Sequence, residues 1–310
     1  MIHRDTLSRL EAALARIIKG QQSAIELCLV GLLSAGHVLV EDVPGVGKTT
    51  LAKALARSLR MDFARVQCTP DLLPSDILGS TVLDPRHGTL SFHKGPVFTQ
   101  VLLVDETNRA SPRTQSGLLE AMNERQVTVD GTTHALPDPF FVIATQNPVD
   151  FQGTYPLPVA QLDRFLLRVR LGYPSEDEEL DVLFDRQHGD PLEGVEPVAD
   201  AAAVRDLQAV VRRIRVEPDV GRYLLRVVRA TRQSRDLELG ISPRGALALF
   251  RACQARALLR GRDFVSPDDV QAVAESVLAH RLVLTAQARY GGLTPESVVS
   301  EICGKVPIPT

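Results

Sequence analysis

Val38-Leu39-Val40 runs directly into Glu41-Asp42-Val43-Pro44-Gly45-Val46-Gly47-Lys48-Thr49-Thr50 and then into a helical pattern, LAKALARSL. A strand, a glycine-rich turn and a helix start in this order constrain the fold more than any other feature, because they call for a parallel strand with a helix crossing over its face. The first backbone N–H groups of such a helix lack partners, and its dipole favours an anion. Gly45 and Gly47 let the main chain approach a polyphosphate around Val46. Lys48 reaches the β and γ phosphates, the Thr49 hydroxyl ligates Mg2+, and Thr50 continues the first turn. The generic pattern GxxxxGK[ST] asks for glycine at position 42, where this chain has Asp42. Lys48 is one of few lysines in a chain that otherwise uses arginine.

Downstream, the apolar run Val101-Leu102-Leu103-Val104 ends in Asp105-Glu106, as expected for a buried strand that delivers two carboxylates to the carboxyl edge of a sheet. Asp105 is the expected Mg2+ partner, and Glu106 the group that aligns and polarises an attacking water. Phe140 to Ala144 reads as another strand, ending in Thr145-Gln146-Asn147, and the Asn147 amide is placed to orient the same water. Short β-rich runs alternate with helical segments from His37 to about Leu171, which predicts a parallel sheet wrapped by helices. Two β-hairpin insertions are expected in this part. One spans Gln126 to Leu136 around Asp130-Gly131, and the other lies within Thr89 to Phe98.

Ahead of the sheet, Leu7 to Ile18 and Gln21 to Ser34 read as helices. After Tyr173-Pro174 the β-rich runs largely stop. Helices are predicted over Glu176 to Gln187, Ala199 to Arg213, Pro218 to Gln233, Pro243 to Arg260 and Pro267 to His280, several with proline in the first turn. The chain of 310 residues fits about two domains at roughly 150 residues each. The expectation is an α/β core over residues 1–173 and a smaller all-α domain over 174–310.

With 44% hydrophobic and 24% charged residues the composition is that of a folded globular chain. A net charge of −3 argues against a surface that grips nucleic acid through phosphate contacts alone. The longest apolar stretch, Leu27 to Val40, contains His37 and falls short of the roughly 20 residues a spanning helix needs. Asp5 and Glu11 precede any apolar run, which makes a poor secretory leader. The expectation is a cytoplasmic protein whose four cysteines, Cys28, Cys68, Cys253 and Cys303, stay reduced and mostly buried.

The stretches EDVPGVGKTTLAKALA, QCTPDLLPSDILG, GPVF, LLVDETNRASPRTQSGLLEAMNERQVTVDG, FFVIATQNP, GTYPLPVAQLDRF and ISPRGALAL together resemble the MoxR family of AAA+ ATPases. The resemblance runs over nearly the whole chain, and Asp at the first P-loop position is frequent in that family. It implies a P-loop α/β core, a helical lid, two β insertions and a homo-oligomeric ring, usually a hexamer, with ATP and Mg2+ held between subunits. Lys48 and Thr49 then correspond to the Walker A pair, Asp105 and Glu106 to the Walker B pair, and Asn147 to the first sensor. Arg164 in LDRF corresponds to the arginine finger and Arg244 in SPRG to the second sensor. The family commonly reads LPEAQLDRF, and Val159 stands here in place of the acid. Thr107 likewise replaces a usual apolar residue after the Walker B acids.

The function expected from the resemblance is chaperone-like: ATP-driven remodelling, maturation, or metal or cofactor insertion in a client protein complex. A partner carrying a von Willebrand factor A domain is often involved. Two alternatives belong to other classes. A magnesium chelatase subunit differs from this chain over the continuous NRASPRTQSGLLEAMNERQVT stretch. A nucleic-acid motor would need basic hairpin tips, for which Lys94 and His93 are the candidates, while the other hairpin carries Asp130 at its turn.

Overall fold

The computed structural model describes residues 2–85, 88–147, 153–187 and 189–309. Helices α1 (Ile2–Ile17) and α2 (Gln22–Leu33) lead into strand β1 (Val38–Glu41), helix α3 (Lys48–Ser58) and strand β2 (Phe63–Gln67). A short helix α4 (Pro74–Leu78) opens the hairpin β3 (Gly79–Asp84) and β4 (Thr89–Lys94), after which β5 (Val101–Asp105) returns to the sheet. Helix α5 (Pro112–Glu124) is followed by the hairpin β6 (Gln126–Val129) and β7 (Thr132–Ala135), strand β8 (Phe141–Gln146), helix α6 (Val159–Leu162) and strand β9 (Leu167–Val169).

The five sheet strands stand in the order β2-β5-β8-β1-β9, and every pairing is parallel. The central strands β1, β5 and β8 are buried on both faces, so their residues divide by alternation between two cores. Leu39, Leu102, Val104, Val142 and Ala144 face one core, with α5. Val38, Val40, Leu103, Phe141 and Ile143 face the other, which also takes in α1, α2 and α3. This larger core continues into the C-terminal helices.

Those helices are α7 (Glu176–Gln187), α8 (Ala201–Val211), α9 (Pro218–Gln233), α10 (Pro243–Leu259), α11 (Pro267–Leu278), α12 (Ala286–Tyr290) and α13 (Pro295–Lys305). Ser242 caps α10 by accepting from the Gly245 N–H, Asp200 caps α8, and proline opens α9, α10, α11 and α13. The region is not purely helical. Strands β10 (Leu237–Leu239) and β11 (Val283–Leu284) pair antiparallel as a two-stranded ribbon, too short for any periodicity to announce.

Both hairpin insertions are present, but the upstream one lies elsewhere than expected. Thr89–Lys94 is only its second strand, and the first is Gly79–Asp84, with the reversal between Asp84 and Thr89. Gly79 at φ 99° sits against the carbonyl of His93, so the true start of the hairpin is a close backbone approach that only glycine fits. Lys94 and His93 therefore pair with Gly79 and Ser80 at the base, not at a tip. The Asp130-Gly131 hairpin forms as expected, with Val129 opposite Thr132. Phe92 of the first hairpin stacks on His134 of the second, with centroids 4.1 Å apart.

His37, just ahead of β1, is buried between neighbours. Its Nδ1 accepts from the Val142 N–H at 3.0 Å, and its Nε2 lies 3.0 Å from the Met122 carbonyl as donor. Burial pushes its pKa from 6.5 down to about 4. The unfolded chain therefore binds more protons than the folded one between about pH 4 and 6.5, so stability is full above that window and falls as pH drops through it. His280, buried beside Arg281, acts in the same direction. The melting temperature is expected to fall between pH 7 and pH 5; thermal denaturation at constant ionic strength checks this, and an unchanged value contradicts it.

Candidate nucleotide site and arginine cleft

A parallel sheet ends all its strands at one edge, and the predicted phosphate-handling groups gather there. Glu41 ends β1 opposite Gln146 of β8, and Gln67 ends β2 opposite Asp105 of β5. The P-loop leaves β1 at this edge and closes on α3, whose N-cap is Gly47 at φ 95° with no side-chain cap. Gly45 has φ 89°, and nothing lies within 4 Å of where a Cβ would stand on either glycine. That open cradle, facing the uncapped first turn of α3, fits a polyphosphate. The Lys48 ammonium donates to the carbonyls of Asp42 at 2.8 Å and Val43 at 3.1 Å. Burial lowers its pKa, opposed by the carboxylates of Asp42, Asp105 and Glu106.

Asp105 is buried, accepting from Arg65 Nε at 2.7 Å and from the Thr145 hydroxyl at 3.3 Å. Glu106 takes a left-handed backbone at φ 55°, and its carboxylate pairs with Arg109 at 2.9 Å. Thr107 is fully buried and donates to the Thr145 carbonyl at 3.0 Å, while the Glu106 N–H donates to the Thr145 hydroxyl at 2.9 Å. A threonine after the two acids thus sews the end of β5 to the end of β8, where an apolar residue would leave that carbonyl without its side-chain donor. Asn147 follows directly and is buried. Among the described residues no cluster of three or more His, Cys, Asp or Glu is placed to hold a metal ion. Mg2+ needs no such cage, being bound as a rule by one or two carboxylates plus substrate phosphates.

Beside the P-loop a cleft of about 270 Å3 is walled by Ile17, Ile18, Val46, Tyr173, Val182 and Asp185. Apolar walls with a few polar groups suit a nucleoside base. Asp42 braces it: its carboxylate accepts from the N–H groups of Leu171 and Gly172 at 2.7 Å each, and from Val43 at 2.8 Å. The residue that breaks the generic glycine pattern therefore ties the phosphate loop to the segment leading into α7.

Arg164 and Arg244 lie at neither of these places. Both line a second cleft, with His37, Asn123, Arg125 and Arg251. His37 precedes β1, so this cleft sits at the amino edge of the sheet, across the full strand from the P-loop. Arg244 donates to Asn123 Oδ1 at 2.6 Å. Among the described residues the Arg164 guanidinium has no hydrogen-bond or ion-pair partner. Its neighbour Asp163 is held by Arg281 Nε at 2.6 Å and by the Ser242 hydroxyl at 3.4 Å. Arg281 is almost wholly buried and also donates to the carbonyl of Leu166 at 3.1 Å. Ser242 caps the helix that carries Arg244, so one buried ion pair fixes both arginines relative to each other. Val159 opens α6, and among the described residues Asp163 is the only acid lining this cleft.

Residues 37–167 match the family described as ATPase family associated with various cellular activities (AAA), and residues 229–302 match the AAA lid domain. The uncharacterized protein YeaC of Bacillus subtilis is 49% identical over 294 residues, spanning 95% of this chain and 92% of its own. Chaperone MoxR1 of Mycobacterium tuberculosis is 42% identical over 313 residues, spanning 98% of this chain and 82% of its own. The chain belongs to the MoxR family of AAA+ ATPases. A crystal structure of a protein from Cytophaga hutchinsonii, proposed to be an ATPase, has the same architecture at a TM-score of 0.92 and 34% identity, covering 100% of this chain and 96% of that one.

Membership of the MoxR family carries nucleotide binding with it. What the sequence did not announce in this MoxR-family chain are the braces: Asp42 onto Leu171 and Gly172, Arg65 on Asp105, Arg109 on Glu106, and Arg281 on Asp163. Only Asp42 gave a signal, as a departure from a glycine pattern. Removing its carboxylate leaves three backbone N–H groups without their acceptor. Asp42→Ala is expected to cost about 3 kcal/mol of stability and to weaken nucleotide binding several-fold, with a smaller loss in Asp42→Asn, which keeps one acceptor. Chemical denaturation and titration with a fluorescent ATP analogue check both parts.

Proposed function

We propose that this protein is an ATP hydrolase that works as a ring, with each catalytic site shared by two subunits. The observation that carries this reading is the separation of the two halves of the site. The cradle, Lys48, Asp105 and Glu106 stand at the carboxyl edge of the sheet, and Arg164 and Arg244 at the amino edge. Strand β1 spans four residues, or ~13 Å, and separates the His37 end, where the cleft of these arginines lies, from the P-loop. They are available to a neighbour's nucleotide instead.

In this reading the N–H groups from Gly45 to Thr50 and the Lys48 ammonium hold the β and γ phosphates. Thr49 and Asp105 would hold Mg2+, which would supply positive charge to offset that of the phosphates. Glu106 polarises the attacking water and Asn147 orients it. Arg164 and Arg244 of the adjacent subunit stabilise charge on the transferring phosphoryl oxygens, which makes turnover depend on assembly. Both Walker B acids are engaged by arginines in the structure described here. Arg109 must therefore yield Glu106 before the carboxylate is free to take up the water.

The proposed role of the ring, usually a hexamer in this family, is chaperone-like: remodelling, maturing or inserting a metal or cofactor into a client complex, beside a partner with a von Willebrand factor A domain. A relative named as a chaperone supports this, as does the β3–β4 hairpin, which exposes Val82, Leu83 and Leu90. A core over 1–173, a lid over 174–310 and a cytoplasmic setting complete the proposal. The described structure has four free cysteines, three of them buried, and no helix among its described residues is long and apolar enough to cross a membrane. The nucleic-acid reading loses its footing, since Lys94 lies at the hairpin base over the Phe98 ring.

Glu106→Gln is expected to bind ATP normally and to lose turnover by about 100-fold or more, as removal of a positioned base does; a rate near wild type removes Glu106 from this role. Arg164→Ala subunits are expected to bind ATP yet not hydrolyse it, and mixing them with Lys48→Ala subunits is expected to restore part of the activity. No rescue in mixed rings speaks against sites shared between subunits.

A further inference from the structure

The helix that walls the base cleft has almost nothing holding it. Helix α7 has no buried residue along its 12 positions, and only Glu178 and Val182 are even partly covered. A free helix of this length is marginal in water. Its ties are polar: Ser175 hydrogen-bonds with Glu178, and Lys19 pairs with Asp185 at 3.1 Å. One side of α7, through Glu179, Val182, Asp185 and Arg186, faces the nucleotide cleft. Another side carries Leu180, Leu183 and Phe184, exposed by 49%, 65% and 57%. At spacings of three and four these form one apolar stripe, preceded one turn earlier by Glu176 and Asp177.

A surface of opposite character lies at the amino edge of the same molecule. On α10, Arg244, Leu247, Ala248 and Arg251 recur at spacings of three and four and share one face. Leu247 is 67% exposed at its centre. Arg125 and Arg164 flank it in the same cleft, and the only acid there among the described residues, Asp163, is already bound to Arg281. An apolar centre ringed by arginines meets an apolar stripe headed by acids.

We propose that α7 of one protomer docks its Leu180, Leu183 and Phe184 stripe on the α10 face of a second copy of this chain, with Glu176 and Asp177 against that cleft's arginines. The proposal rests on the ring reading above and deepens it. The two surfaces lie on opposite edges of the sheet, so the contact is head-to-tail and propagates around a ring instead of closing a two-fold dimer. Because α7 walls the nucleotide cleft with its other side, docking there brings Arg164 and Arg244 to the rim of the neighbour's nucleotide. The same contact supplies α7 with the packing it lacks within its own chain.

The test mixes two single-site variants, Phe184→Cys and Leu247→Cys, both with Cys303→Ser to remove the one native thiol that is not buried. A short bismaleimide is added in Mg2+-ATP, and light scattering reports size in the same solution. A cross-linked dimer is expected in the mixture and in neither variant alone, and none when Leu225→Cys, exposed on α9, replaces Leu247→Cys. Leu183→Asp, a change at an exposed position, is expected to raise the concentration for half-assembly by ~10-fold or more with an unaltered circular dichroism spectrum. Rings that form without the mixed cross-link, and that Leu183→Asp leaves intact, overturn the docking while the ring reading stands. Absence of any assembly in Mg2+-ATP overturns both.

Discussion

The parallel register of β5, β8 and β1 is the constraint on which the rest of the site depends. Parallel pairing places every strand's carboxyl end at one edge and every amino end at the other, and the chain loads these edges with different chemistry. The carboxyl edge receives the anion cradle and the acids. The amino edge receives Arg164 and Arg244, held there because the cleft is built from the residues that precede β1 and β9 and from the end of α5. Within one polypeptide, Arg164 and Arg244 line a cleft separate from the one beside the phosphate loop. That separation is what the proposed sharing of sites between subunits rests on.

Two carboxylates turn the scaffold into a positioned site. Asp42 spends its oxygens on backbone N–H groups of its own loop and of Leu171 and Gly172. Asp163 spends its oxygens on Arg281 and Ser242. Both sit where the sheet gives way to the C-terminal helices, one at each edge. A guanidinium as enclosed as that of Arg281 is tolerated because its donors are taken by Asp163 and by main-chain carbonyls. Breaking such a pair leaves an uncompensated charge inside the protein. The ends of the site are thus tied to the second half of the chain through buried polar contacts and not through surface charge.

Much of this was legible in the residues. Strand, turn and helix around Lys48, the two acids ending the run at Val104, and Asn147 after a third run were readable because burial on both faces imposes continuous apolar runs with chemistry only at their ends. The Asp130-Gly131 hairpin was readable because two adjacent positive-φ residues restrict composition sharply. The β3–β4 hairpin was misplaced because its defining contact, Gly79 against the His93 carbonyl, joins residues far apart in sequence and leaves no local turn pattern. The ribbon of β10 and β11 is held by tertiary pairing of segments too short to show alternation. Arg164 and Arg244 were recognisable only by resemblance. An arginine beside an aspartate and an arginine after a proline have no periodicity that distinguishes them from solvated surface, and it is the fold that gathers them in one cleft.

Asp42 also makes the phosphate loop and the start of α7 thermodynamically inseparable. Its carboxylate has a fixed number of lone pairs, and these are divided between the loop and the backbone at Leu171 and Gly172. A ligand that reshapes the loop changes how well the carboxylate fits the other two donors, and a pull on Gly172 changes how well it fits the loop. Such a coupling is reciprocal: whatever free energy nucleotide contributes to the placement of α7, the placement of α7 returns to nucleotide affinity. An aspartate at a position that the generic pattern gives to glycine thereby links the shape of the loop to the placement of a helix.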